Sequence, residues 1–204
     1  MNDIVYDKGR VASFCDAVFS IAMTLLVLEI EIPETQKIYD VGIMELLSNR
    51  IPSFIGFFVS FLVTALYWVS HLRIFKYVTK INDKLLWINI FLLLFVVLLP
   101  FSTALYVEGF NTNGPFILYS INLTCIGVFN FLLIQNISKN EMGKLGMTPI
   151  LAKWLKFRSL NAIFVWLLSI IISPLLPLTA RMLFVLIFVF QIFADRCYFK
   201  KRMV

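Results

Sequence analysis

Six apolar stretches of similar length recur along the 204 residues, at approximately 11–31, 51–75, 84–107, 115–138, 159–175 and 178–197. A hydrocarbon core roughly 30 Å thick takes about 20 helical residues to cross, and inside it every backbone N–H and C=O must be satisfied within the chain. This spacing predicts an all-α integral membrane protein with six transmembrane helices in a single domain spanning 1–204. A hydrophobic content of 60% against 15% charged residues, with mean hydropathy +0.89, excludes a water-soluble domain. Only Ser173-Pro174-Leu175-Leu176-Pro177 separates the last two stretches. Proline lacks an amide donor and disfavours helical geometry in the residue before it, so a tight helical hairpin is expected there, not one long kinked helix. The polar first ten residues are followed by an apolar run without a small-residue cleavage site, so no removable signal peptide is expected.

The basic residues fix an orientation. Lys8, Arg10, Arg73, Lys76, Lys80, Lys84, Lys139, Lys144, Lys153, Lys156, Arg158, Arg196, Lys200, Lys201 and Arg202 fall at one set of junctions, and only Lys37, Arg50 and Arg181 of the 18 fall at the other. Such a bias places both termini in the cytoplasm and requires an even number of spans. The net charge of +6 is spread over every junction on that side and forms no recognition motif. Contact with anionic lipid headgroups explains it, and no nucleic-acid partner is expected. The opposite mouth is acidic, with Glu29, Glu31, Glu34, Asp40 and Glu45 around the first loop. It is either a cation-gathering vestibule or an ordinary solvated loop. Cys15, Cys125 and Cys197 have no metal-like spacing and suggest no disulfide framework.

Residues 10–31, RVASFCDAVFSIAMTLLVLEIE, place Arg10, Asp16, Ser20 and Thr24 in one bilayer-length helix. An ionisable group in a lipid-spanning helix costs about 2.5–3.5 kcal/mol on insertion scales, so it is kept to line a water-filled path or to lock helices together. At about 100° per residue, Ala17, Ile21, Thr24, Leu25 and Leu28 form one stripe, extended by Arg10 and Phe14. Several copies around an axis would present rings of Ile21, Leu25 and Leu28 interleaved with Thr24 hydroxyls. Apolar rings can close a channel by dewetting, and hydroxyl rings can ligate a partly dehydrated cation. The alternative is that the stripe packs against other helices and that Thr24 bonds its own backbone.

The run Arg10-x-x-x-Phe14-Cys15-Asp16, leading directly into Ala17-Val18-Phe19-Ser20-Ile21-Ala22-Met23-Thr24-Leu25-Leu26-Val27-Leu28-Glu29-Ile30, closely resembles the R-x-x-x-F-S-D signature and first helix of the transmembrane protein 175 family. These are the lysosomal potassium channels and their bacterial relatives. Trp68-x-x-His71, Asn89 and Pro100-Phe101-Ser102-Thr103 are similar to the family pattern too, so the resemblance covers the first half of the chain. Spans four to six agree only in number and hydrophobicity.

The resemblance implies a passive, potassium-selective cation channel without a T-V-G-Y-G filter loop, and that pentapeptide is absent from the sequence. It implies that the first helix lines a central pore in a homotetramer, with Ile21, Leu25 and Leu28 as constriction, Thr24 as the layer favouring potassium, and Glu29 and Glu31 at the outer mouth. Arg10, Phe14, Cys15, Asp16, Trp68 and His71 would fasten that helix to the second span. Where the signature has serine this chain has Cys15, a weaker hydrogen-bonding group. A single repeat fits the bacterial form, embedded in the plasma (inner) membrane with both termini cytoplasmic, needing no cofactor and carrying K+ as permeant ion.

Asp16 and His71 lack a nucleophile or a second metal ligand at suitable spacing, so no enzyme is expected. Titration of His71 would offer sensitivity to cytoplasmic pH. The remaining rivals are a secondary transporter, for which only Gly56 and Pro100 offer interruptions, and a non-conducting membrane scaffold.

Overall fold

The computed structural model describes residues 5–30 and 42–202, nearly all of them helical. The first helix, α1, runs Lys8–Leu25 and tightens into a 3-10 turn at Leu26–Glu29. Asp7 caps it, its carboxylate accepting the Arg10 N–H at 2.7 Å, which satisfies one of the orphan donors of the first turn. A short α2 (Ile43–Asn49) precedes α3 (Ile51–Phe75). Asn82 caps α4 (Asp83–Val97) by accepting the Leu85 N–H at 3.0 Å. After a break at Leu98 the chain continues as α5 (Leu99–Glu108), where Pro100 withholds a donor from the ladder. Then come α6 (Asn113–Asn140), α7 (Pro149–Ile172), α8 (Pro177–Met182) and α9 (Phe184–Arg202).

Five segments are long and apolar enough to cross a membrane: Lys8–Glu29, Ile51–Phe75, Asp83–Glu108, Asn113–Asn140 and Pro149–Ile172. Two sequence expectations need correction. The fifth span, expected at 159–175, begins ten residues earlier because Thr148 caps Leu151 (3.2 Å) and Pro149 occupies the first turn, a pairing that starts a helix whatever the polarity of Lys153, Lys156 and Arg158 beyond it. The sixth, expected as one helix at 178–197, is broken at Leu183, and its apolar part, Pro177–Phe193, is shorter than the other five. The hairpin at Ser173–Pro177 is present, and α9 returns along α7.

Polar contacts gather the connections at two ends. At one end the Tyr6 N–H donates to Ile81 O at 2.9 Å and the Tyr6 hydroxyl to Asp83 at 2.7 Å. There too, Arg73 and Arg158 lie 5.6 and 5.1 Å from the centre of the Trp154 ring, Tyr198 stacks on that indole at 4.6 Å, and Arg158 pairs with Asp195. Both described chain ends therefore lie at the same end of the bundle. The turn between α6 and α7 is held there by Glu141, whose carboxylate accepts the Thr79 N–H (3.1 Å) and hydroxyl (2.9 Å) and pairs with Lys144 at 3.3 Å.

The centre of the bundle is α6, which packs against α7, α4, α5 and α3. Its close approach to α7 depends on Gly127: a Cβ there would lie 2.9 Å from Ile163 Cγ1 and 3.1 Å from the Tyr67 hydroxyl. Gly127→Val should therefore cost about 1–3 kcal/mol through overpacking, read as a lower thermal midpoint in detergent. Gly114→Ala, where an added Cβ meets nothing within 4 Å, should leave the midpoint unchanged.

Burial pushes the Glu141 carboxyl up, but the Thr79 hydrogen bonds and Lys144 outweigh it and hold the group below the usual carboxylate range. A depressed native value gives stability that is full above the unfolded value of about 4.3 and is lost as pH falls through the native one. The thermal midpoint of the native chain should thus exceed that of Glu141→Gln most at neutral pH, and the gap should shrink below about pH 4. A pH series of unfolding curves on both proteins checks the sign.

Candidate functional site

The two faces of α1 differ completely. Cys15, Phe19 and Ala22, followed by Leu26 in the 3-10 turn, are buried against α4, α3 and α5. On the opposite face Arg10, Phe14, Ala17, Ile21, Thr24, Leu25 and Leu28 are exposed, Ile21 at 58% and Leu28 at 72%. The expected stripe is thus real and turned away from its own subunit. It gains one refinement from the 3-10 turn: residues i and i+3 eclipse in that geometry, which brings Leu25 and Leu28 nearly into line.

Thr24 donates its hydroxyl proton to Ile21 O at 2.9 Å. With the donor engaged by the backbone, the exposed hydroxyl retains acceptor capacity. Glu29 ends the turn half-buried, and Glu31 lies outside the described residues.

The buried face is pinned by two polar contacts. Trp68 Nε1 donates to the Asp16 carboxylate at 2.9 Å, tying α1 to α3. One layer away, the Asn89 amide donates to Cys15 Sγ at 3.0 Å while its carbonyl faces His71 Nε2 at 2.9 Å, so Nε2 carries the imidazole proton. His71 is 1% exposed, stacked on Phe75 at 4.1 Å and flanked by Phe19 at 5.8 Å.

Of the six residues expected to fasten α1, the structure brings together Cys15, Asp16, Trp68 and His71. Arg10 and Phe14 are not in this cluster. They belong to the exposed stripe, because four- and seven-residue steps from Ile21 and its neighbours carry them round to that face, and they border a surface recess with Asn89 at its floor. Asn89 is the residue that sequence reasoning left out of the cluster. The available signal was an amide set amid the apolar run LLWINIFLLLF. No group of three or more His, Cys, Asp or Glu suited to a metal ion occurs among the described residues.

The sequence model of the family described as "Endosomal/lysosomal potassium channel TMEM175" matches residues 10–100, the part that builds this site. The crystal structure of a lysosomal potassium-selective channel TMEM175 homolog from Chamaesiphon minutus superposes on the chain with a TM-score of 0.79 at 25% identity, covering 94% of this chain and 97% of that one. Over residues 10–100 the chain is similar to the TMEM175 family. A potassium channel of Chamaesiphon minutus is 40% identical over 102 residues, 50% of each protein. The endosomal/lysosomal proton channel TMEM175 of Homo sapiens is 29% identical over 128 residues, 61% of this chain and 25% of that protein. The chain spans about half the length of these bacterial potassium channels.

Asn89→Leu should strand the buried Nε2–H of His71, at a cost of about 1–3 kcal/mol. Cys15→Ser, which offers Asn89 a better acceptor, should hold or raise stability. Thermal unfolding of the two variants beside the parent protein in detergent decides both, and equal midpoints for Asn89→Leu and the parent would remove the amide from its bridging role.

Proposed function

We propose that the chain is one subunit of a homotetrameric, potassium-selective channel that conducts passively along an axis lined by four copies of α1. One observation carries this reading: α1 buries one face on its own subunit and exposes the Ile21, Thr24, Leu25 and Leu28 stripe along a helix of bilayer-crossing length. Isoleucine and leucine rings would form a constriction that excludes water when narrow, and the Thr24 oxygens would replace part of the hydration shell of a passing cation. Glu29 and Glu31 would gather cations at the mouth.

The potassium-channel names of bacterial relatives support the ion, and the basic bias of the connections at the chain-end side supports cytoplasmic termini in a plasma membrane. In this arrangement the short apolar segment 177–193 makes the sixth crossing, which an even number of spans requires. Arg10 and Phe14 would stand on the pore-facing stripe toward the cytoplasm, while Cys15, Asp16, Trp68, His71 and Asn89 hold the helix at its angle.

Planar-bilayer recording of purified protein between potassium and sodium solutions tests the whole reading. A reversal potential set by the potassium gradient is expected. Replacing Ile21 with asparagine should raise current and blunt selectivity, because a smaller polar ring wets more readily. Unchanged conductance and permeability ratios in that variant would displace Ile21 from the constriction, and coupled, saturable flux would favour a transporter.

A further inference from the structure

Of the described basic residues on the face away from the chain ends, Arg50 and Arg181, the second has an unusual setting. It sits in the last turn of α8, half-buried, with its guanidinium 4.7 Å from the centre of the Phe110 ring and 5.9 Å from that of Phe116. One Nη donates to Thr112 O at 3.3 Å. The Nε–H is buried and has no acceptor, and no carboxylate pairs with this cation among the described residues. Aromatic faces attract a cation but accept no conventional hydrogen bond, so the planar donor fork is incompletely used.

Beside it lies a groove of about 550 Å³, counting its open mouth, walled by Ile55, Tyr106, Phe116, Trp166, Leu178 and Phe184. Its wall includes Trp166, a residue only 2% exposed. The mouth opens past Leu178 and Met182, which are 66% and 58% exposed, on the flank of the bundle. An apolar slot beneath an unpaired guanidinium, at the level where a membrane-spanning bundle meets one leaflet, has the polarity of an amphiphile with an anionic head.

We propose that this groove seats one anionic phospholipid of the leaflet on that face, its phosphate on Arg181 and an acyl chain along Tyr106, Phe116 and Trp166. Among the described residues no acid pairs with Arg181 to receive a headgroup ammonium, which favours a head of net negative charge. The assignment rests on the chain being membrane-embedded and does not require that it conduct.

The test is native mass spectrometry of the full-length protein, titrated in detergent with palmitoyl-oleoyl phosphatidylglycerol, with phosphatidylcholine of the same chains, and with oleate. The parent protein should retain one phosphatidylglycerol per chain at a concentration about tenfold below that needed for phosphatidylcholine, as a charge-assisted contact predicts. Arg181→Gln should abolish that preference. Met182→Trp narrows the mouth from an exposed position with the charge intact, and should weaken retention of both phospholipids alike. If Arg181→Gln does not fold, Arg181→Lys and Met182→Trp carry the test: the lysine should keep a reduced phosphatidylglycerol preference.

No preference in the parent protein, or an undiminished one in Arg181→Gln, overturns the site, as does unaltered retention in Met182→Trp. Oleate retained ahead of phosphatidylglycerol would mark a fatty-acid site and overturn the phospholipid assignment. A protein that shows the lipid preference but passes no current refutes the proposed channel and leaves this site standing, and the converse result refutes only the site.

Discussion

The Asn89 carboxamide joins three helices at one buried point. Its amide side holds Cys15 on α1, its carbonyl side holds the proton of His71 on α3, and its own backbone belongs to α4. In hydrocarbon, each of those groups alone would be an unsatisfied dipole, so the three are stable only together. Their register decides which face of α1 is turned inward. Were α1 rotated by one residue, Cys15 would leave Asn89 and Asp16 would leave the Trp68 indole, and the aliphatic stripe would rotate toward the neighbouring helices.

The same device recurs through the bundle. Ser60 meets the hydroxyls of Tyr119 and Thr103 at 3.0 and 2.9 Å, Asn122 donates to Ser102 at 3.1 Å, and Asn130 joins Ser70 to Ser159 at 3.2 Å each. Interhelical hydrogen bonds in membranes average only about 0.6 kcal/mol, because the unpacked helices also find partners. Their larger effect here is on register: small hydroxyl residues permit close approach, and a donor fixed to a particular acceptor forbids sliding by a turn. Tight packing of α6 on α7 at Gly127 belongs to the same logic.

The consequence is an asymmetric bundle. The densely packed contacts centre on α6, while α1 rests at an edge against α3, α4 and α5. Its inner side is held by polar contacts, and its exposed stripe presents Ile21, Leu25 and Leu28 beside the Thr24 hydroxyl, whose proton is committed to the backbone. A helix held in this way can face its own symmetry copies without losing its internal contacts, which is the arrangement the proposed pore needs. Arg181, in α8, lies on another flank and serves a separate, lipid-facing role in the proposal above.

Hydropathy and charge determined the helical class, the bilayer-length segments and the hairpin before α8, because burying backbone in hydrocarbon leaves few alternatives. The bounds of α3, 51–75, could be read directly, since polar and proline-containing junctions mark both ends. The start of α7 could not, because a Thr148-Pro149 cap begins a helix in polar surroundings where hydropathy is silent. Nor could the break at Leu183, which separates two helical pieces within a stretch that has no proline or glycine after Pro177. At the site, 3.6-residue periodicity placed Ile21, Thr24, Leu25 and Leu28 on one face, since that periodicity is a property of the chain alone. Which face points inward, that Asn89 bridges Cys15 and His71, and that Arg10 and Phe14 stand outside that cluster were decided only by the tertiary structure, because hydrogen-bond partners 18 to 74 residues apart are brought together by packing and leave no mark on local spacing.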